Sequence, residues 1–162
     1  MPMTEPVNAL KKEIKNRAEI YVKIYSQLSA ELGPDKATEL LGKAVYERGR
    51  DKGQRLAKQV GAPDLEQLAR VLIEGKGTID AFGQEVVEAS PTRTVLRLNQ
   101  CPLVDAWDEV GLSGDEKAKM CDIAHQVDFG KFETAGYTLR FGCRISDGAK
   151  SCDLELTRCR ER

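Results

Sequence analysis

The sequence predicts an α+β fold in which N-terminal helices pack on a small antiparallel sheet of about four strands built from two hairpins. Three observations carry this. Apolar residues recur every three or four positions from Val7 to Leu32 and again from Leu40 to Ala57, which is the period of an amphipathic helix. From Glu85 to Asn99, and again from Tyr137 to Leu156, the period falls to two, as in a strand with one buried face. The chain has 162 residues, the length of one ordinary domain with a core of its own, so residues 1–162 are read as a single unit.

The first helix carries Leu10, Ile14, Ala18, Tyr21, Ile24 or Tyr25, Leu28 and Leu32 on one side. It is longer than a compact domain requires, so residues 1–33 are expected to offer an apolar stripe to a second copy and make a homodimer. Gly33-Pro34 stops it and opens the next helix, Asp35 to Val60. That helix contains Gly42, Gly49 and Gly53, each costing about 1 kcal/mol against alanine. Close approach of another backbone or of a bound ligand would offset the cost, so Gly49 and Gly53 are candidate substrate-binding positions. Asp64 with Gln67 forms a capping box for a short helix through Leu65, Leu68 and Leu72, ended by Gly75 and Gly77. Two strands follow, Glu85–Ala89 and Thr94–Asn99, joined across Ser90-Pro91-Thr92 and closed by Cys101-Pro102. Leu103 to Val110 reads as a short helix, and Ser113 with Glu116 caps the helix that bears Cys121, His125 and Asp128. After an irregular segment, Tyr137, Leu139, Phe141 and Cys143 form one side of a strand, Asp147-Gly148 turn the chain, and Cys152, Leu154 and Leu156 continue in the last strand. Arg158 to Arg162 is a polar tail.

Composition narrows the function classes. With 25 basic against 26 acidic residues and no window of one sign, nothing marks a nucleic-acid surface. No apolar run approaches the roughly 18 residues of a membrane span, and M-P-M-T-E-P lacks the basic and apolar regions of a signal peptide. The expected compartment is the cytoplasm, with neither membrane nor nucleic acid as a partner. Five cysteines would there be reduced.

The chemistry-bearing stretch runs from Cys121 to Cys152. On one helix, Cys121, His125 and Asp128 stand at i, i+4 and i+7 and so share a face. Two readings follow. Cys121, or Cys101 arriving from the strand end, is a nucleophile whose thiolate is favoured by His125, with Asp128 or Asp122 orienting the imidazole. Alternatively Cys101, Cys121, His125 and either Cys143 or Cys152 hold a metal, Zn or Fe, although no paired C-x-x-C spacing is present. Against both stands simple burial, since cysteine is a common small apolar filler, and that is the expectation for Cys159. Trp107 and Tyr137 read as core or pocket wall, Tyr137 being a candidate substrate contact. Arg48 to Arg55 alternate with acids and read as a solvated helix face.

The glycine-bearing helix, V-V-E-A, the strand ending in Cys101-Pro102, Cys121 and Asp128 seven residues apart, Thr138-Leu139, Gly148 and C-D-L-E-L together resemble the 2-amino-thiazoline-4-carboxylate hydrolase family. They resemble more distantly the 4-vinyl-reductase-type small-molecule-binding domains, whose late Cys, Gly and Cys would be Cys143, Gly148 and Cys152. The likeness spans residues 36–157. It implies an α+β core and, for the hydrolases, opening of a cyclic amidine by water to N-carbamoyl-cysteine, with Cys121 and Asp128 matching the family's helix Cys and Asp, and Cys152-Asp153 its final C-D. The turn S-D-G-A-K is longer than that pattern. Two functions are therefore expected in competition: a small-molecule hydrolase using Cys121, Cys101, His125 and Asp128, or a non-catalytic ligand-binding or sensor domain, metal-stabilised in one variant.

Overall fold

In the computed structural model, which describes residues 5–74 and 76–159, the long apolar stripes become two antiparallel helices, α1 (Glu5–Leu32) and α2 (Pro34–Val60). Gly33 at φ +84° makes the reversal and Pro34 begins α2, where its missing N–H costs nothing. Asp64 caps α3 (Leu65–Glu74), its carboxylate accepting the Gln67 N–H at 2.7 Å. The predicted stop at Gly75 lies outside the described residues. Gly77, also expected to end a helix, falls inside a further one, α4 (Lys76–Phe82).

The sheet joins the two hairpins in the order β1-β2-β4-β3, all antiparallel: β1 (Gln84–Ala89), β2 (Thr94–Leu98), β3 (Tyr137–Phe141) and β4 (Cys152–Arg158). β2 and β4 form the seam, with Leu98 opposite Cys152, Leu96 opposite Leu154 and Thr94 opposite Leu156. Leu96, Leu139, Leu154 and Leu156 face the helices and are buried. The opposite face is held by charge: Arg97 grips Asp153 through two bonds of 2.7 Å, and Arg93 reaches Glu88 and Glu155. This alternation is the signature of a sheet covered on one side.

Between the hairpins lie α5 (Pro102–Glu109), α6 (Gly114–Ala124) and α7 (Gln126–Thr134). The Ser113/Glu116 capping box is complete. The helix of Cys121 is shorter than expected, because the chain bends at His125 and starts α7, which runs on past Asp128 to Thr134, where an irregular segment was predicted. Gly130 lowers the local helix preference of that stretch, and a tertiary contact restores it. α7 lies backbone to backbone on α2: a Cβ on Gly49 would stand 2.3 Å from the Val127 carbonyl oxygen, one on Gly53 2.5 Å from that of Lys131, and one on Gly130 2.2 Å from that of Tyr46. Gly49 and Gly53 are therefore packing residues. Their glycine identity lets two helices touch, and the ligand-binding expectation for them is corrected.

Two apolar cores result. One joins the sheet to α3 and the C-terminal half of α2, around Phe132, Leu154 and Leu156. The other joins α1, α2, α5 and α6 around Trp107, whose indole N–H donates to the Ala18 carbonyl at 3.1 Å. α1 leaves Ile20 and Ile24 exposed.

Candidate functional site

Where the two cores meet they leave a cavity of about 290 Å³. Its inner wall is apolar, formed by Leu96, Leu98 and Leu154 of the sheet with Phe82, Leu103 and Phe132. Cys101 and Cys152 stand on it, and His125 and Asp128 enter from the junction of α6 and α7. Arg17 and Tyr21 of α1, Arg48 and Lys52 of α2 and Lys131 of α7 supply the polar side. A more open groove of about 530 Å³ between α1 and α6 carries Asp115, Glu116 and Lys119 but neither histidine nor cysteine. The smaller cavity is the chemical one.

His125 occupies the cap position shared by α6 and α7, and its carbonyl accepts the Asp128 N–H at 2.9 Å. Its ring stacks on Phe141 at 4.0 Å between centroids, with Phe129 edge-on to Phe141. Cys121 Sγ lies 3.6 Å from both ring nitrogens. Burial against these apolar groups lowers the His125 pKa, opposed by Asp128, Asp122 and Asp147 and assisted by Arg144. A neutral imidazole at pH 7 can accept a proton.

The three residues expected on one helix face are thus divided. His125 and Asp128 line the cavity, whereas Cys121 is buried behind the imidazole, among the core of α5 and α6. Asp122 turns outward to Arg144, which also binds Asp147 at 2.8 Å; it does not orient His125. This ion-pair cluster pins the loop after β3, where Ser146 is buried and the Ile145 N–H donates to Cys152 Sγ at 3.2 Å. Cys143, expected within the strand that begins at Tyr137, lies past the end of β3, and its thiol donates to the Ser151 carbonyl at 3.3 Å. Tyr137 is fully buried away from the cavity, its hydroxyl donating to the Asp64 carbonyl and accepting the Asp64 N–H; it is a core residue and not a substrate contact.

Cys101, Cys121 and Cys152 are poor thiolates. Burial pushes Cys101 up to about 11 and Cys121 up to about 12, and raises Cys152. Arg144 favours the thiolates of Cys121 and Cys152, but burial outweighs it and the sulfurs stay protonated. Among the described residues no group of three or more His, Cys, Asp or Glu side chains is arranged to hold a metal ion, so Cys101, Cys121, His125 and Cys152 do not form the ligand set expected of them. All five cysteines are free, and only Cys159 is exposed. Iodoacetamide at pH 8 on the native protein is therefore expected to label Cys159 first, leaving Cys101, Cys121 and Cys152 unmodified until denaturant is added; peptide mass spectrometry reads the order.

His125 also makes stability depend on pH. Its folded pKa lies below the ordinary 6.5, so between those two values the unfolded chain binds more protons than the folded one, and stability falls as the pH is lowered through that window. His125→Gln is expected to flatten the urea midpoint between pH 7 and pH 5 relative to the parent.

The residues that the sequence did not flag are the cations. Lys52 was hidden in the alternation of Arg48 to Arg55. One signal was present: Val45, Gly49, Lys52 and Leu56 follow the three-four period, which sets a lysine on the buried stripe of α2.

The sequence matches the family described as L-2-amino-thiazoline-4-carboxylic acid hydrolase over residues 13–156. No curated protein matches it. Among solved structures, the fold is similar to that of a trafficking protein particle complex subunit 3 from Naegleria fowleri covalently bound to palmitic acid, with a TM-score of 0.60 and 16% identity over 93% of this chain and 97% of that one. At that identity the likeness is one of fold. No helix among the described residues is long and apolar enough to cross a membrane.

Proposed function

Because the chain belongs to the L-2-amino-thiazoline-4-carboxylic acid hydrolase family, we propose that it opens a small cyclic amidine or amide with water, in the cavity between α1, α2, α7 and the sheet. The observation that supports this reading is the pairing of a neutral imidazole and a carboxylate, His125 and Asp128, on the wall of that cavity. His125 serves as the general base and Asp128 favours the imidazolium that forms. Water oxygen bonds to the amidine carbon while the proton it loses passes through His125 to the ring nitrogen. Collapse of the tetrahedral centre then forms the carbonyl, breaks the carbon–sulfur bond and leaves the hydroxyl proton on sulfur. Cys101 and Cys152 remain thiols and shape the wall.

The test is ring opening of 2-amino-thiazoline-4-carboxylate by the purified chain, followed as thiol released, across pH. Base catalysis by His125 predicts a rate that climbs below pH 6.5 and is level from there to about pH 8, its plateau being reached once the imidazole is neutral. A thiolate nucleophile predicts a rate that still rises tenfold per unit at pH 9. No thiol release at any pH defeats the proposal.

A second reading, binding without turnover, is favoured by the apolar inner wall of Leu96, Leu98, Leu103 and Leu154 and by the fold shared with a subunit that carries palmitic acid. A chain that binds the ring acid or a fatty acid and never opens the ring decides for it.

A further inference from the structure

Four cations from three helices face one hollow: Arg17 of α1, Arg48 and Lys52 of α2, and Lys131 of α7. Asp128 is the one carboxylate among the described residues on that lining. Arg48 has an exposed partner in Asp51 at 3.6 Å, but neither Lys52 nor Lys131 has a carboxylate within ion-pair distance among the described residues, although both are half-buried. Lys131 leans instead on the Phe132 ring, its Nζ 4.8 Å from the centroid. Burial lowers the pKa of each lysine, and Lys52 is lowered further by Arg17, Lys131 and Arg48, with Asp128 opposing. A like-charged group drawn out of water without a counter-ion is costly to the fold. Such an arrangement is relieved when an anion enters.

We propose that this is a carboxylate-binding site: Lys52 and Lys131 hold the acid group of the ligand, with Arg17 and Arg48 at the mouth drawing it in, so that an uncharged ring lies on the apolar wall beside His125. Salt links of this kind give charge discrimination, because an uncharged analogue leaves the half-buried ammonium groups unpaired. The exposed pair, Arg17 and Arg48, acts over longer range and is screened by salt. The choice of a ring acid as the ligand rests on the hydrolase reading; the anion site itself rests on the four cations.

The experiment is calorimetric titration of the full chain, in low salt at pH 7, with 2-amino-thiazoline-4-carboxylate and with its carboxamide, which keeps the ring and loses the negative charge. The acid is expected to bind at least tenfold more tightly than the amide. In Lys52→Met and Lys131→Met that ratio is expected to fall toward one, and in Lys52→Arg to persist. Removing an unpaired buried charge should not unfold the chain, and circular dichroism with thermal melting confirms this for each variant. Equal binding of acid and amide, an unchanged ratio in both methionine variants, or no binding of either compound overturns the site. Thiol release measured on the same samples separates the two claims. Charge-selective binding without ring opening sustains the anion site and defeats the hydrolase. Opening of acid and amide at equal rates sustains the hydrolase and defeats the site.

Discussion

Gly49→Ala is expected to lose about 3 kcal/mol of stability or more, a large share of the margin of a single domain. The new methyl would stand 2.3 Å from the Val127 carbonyl oxygen, 2.9 Å from its carbon and 3.0 Å from the Gly130 Cα. All three are backbone atoms, so no rotamer change relieves the clash and α7 must move off α2. That displacement also strains the Tyr46 hydroxyl bond to Glu133, 2.7 Å long, that ties the same two helices. Gly42 on the same helix is the control. A methyl there meets only the Gln126 Cγ at 3.6 Å, an ordinary contact, so Gly42→Ala is expected to gain up to about 1 kcal/mol from helix propensity. Urea titrations of the two variants should shift the midpoint in opposite directions. A Gly49→Ala chain that unfolds at the parent's midpoint would refute the close helix contact.

His125→Gln is expected to lower kcat by roughly 10²- to 10⁴-fold, the usual contribution of a positioned general base, with circular dichroism unchanged. Cys101→Ser is expected to stay within about tenfold of the parent, because a thiol pushed up to about 11 by burial is scarcely ionised at pH 7. The two substitutions separate the mechanisms. If a thiolate attacks the ring, Cys101→Ser abolishes thiol release and His125→Gln only slows it; if His125 activates water, the order reverses. Asp128→Asn should be intermediate, since it withdraws the charge that favours the imidazolium while leaving the base in place.

Legibility in the sequence followed the range of the interactions concerned. The reversal at Gly33-Pro34, the caps at Asp64 and Ser113 and the alternating strands were readable because each depends on neighbours a few residues away. α7 was missed for the opposite reason. Its Gly130 is a poor helix residue, and what compensates it is Gly49, eighty-one positions earlier in the chain. Cys121, His125 and Asp128 were correctly singled out as a neighbourhood, yet one continuous helix was assumed for them, and the bend at His125 sends the thiol into the core and the carboxylate into the cavity. Tyr137 shows the same limit: alternation correctly put its side chain on the buried face of β3, but its hydroxyl partner is the backbone of Asp64.

By itself the sequence determined the α+β class, the two hairpins and the helix caps. Only the tertiary structure decided that Gly49 and Gly53 serve helix contact, that Cys101, Cys121 and Cys152 are shielded, and that Arg17, Arg48, Lys52 and Lys131 share one hollow. The reason is physical. Periodicity and capping report how each residue stands toward its own helix or strand, whereas desolvation and charge coupling depend on which distant segment is packed opposite.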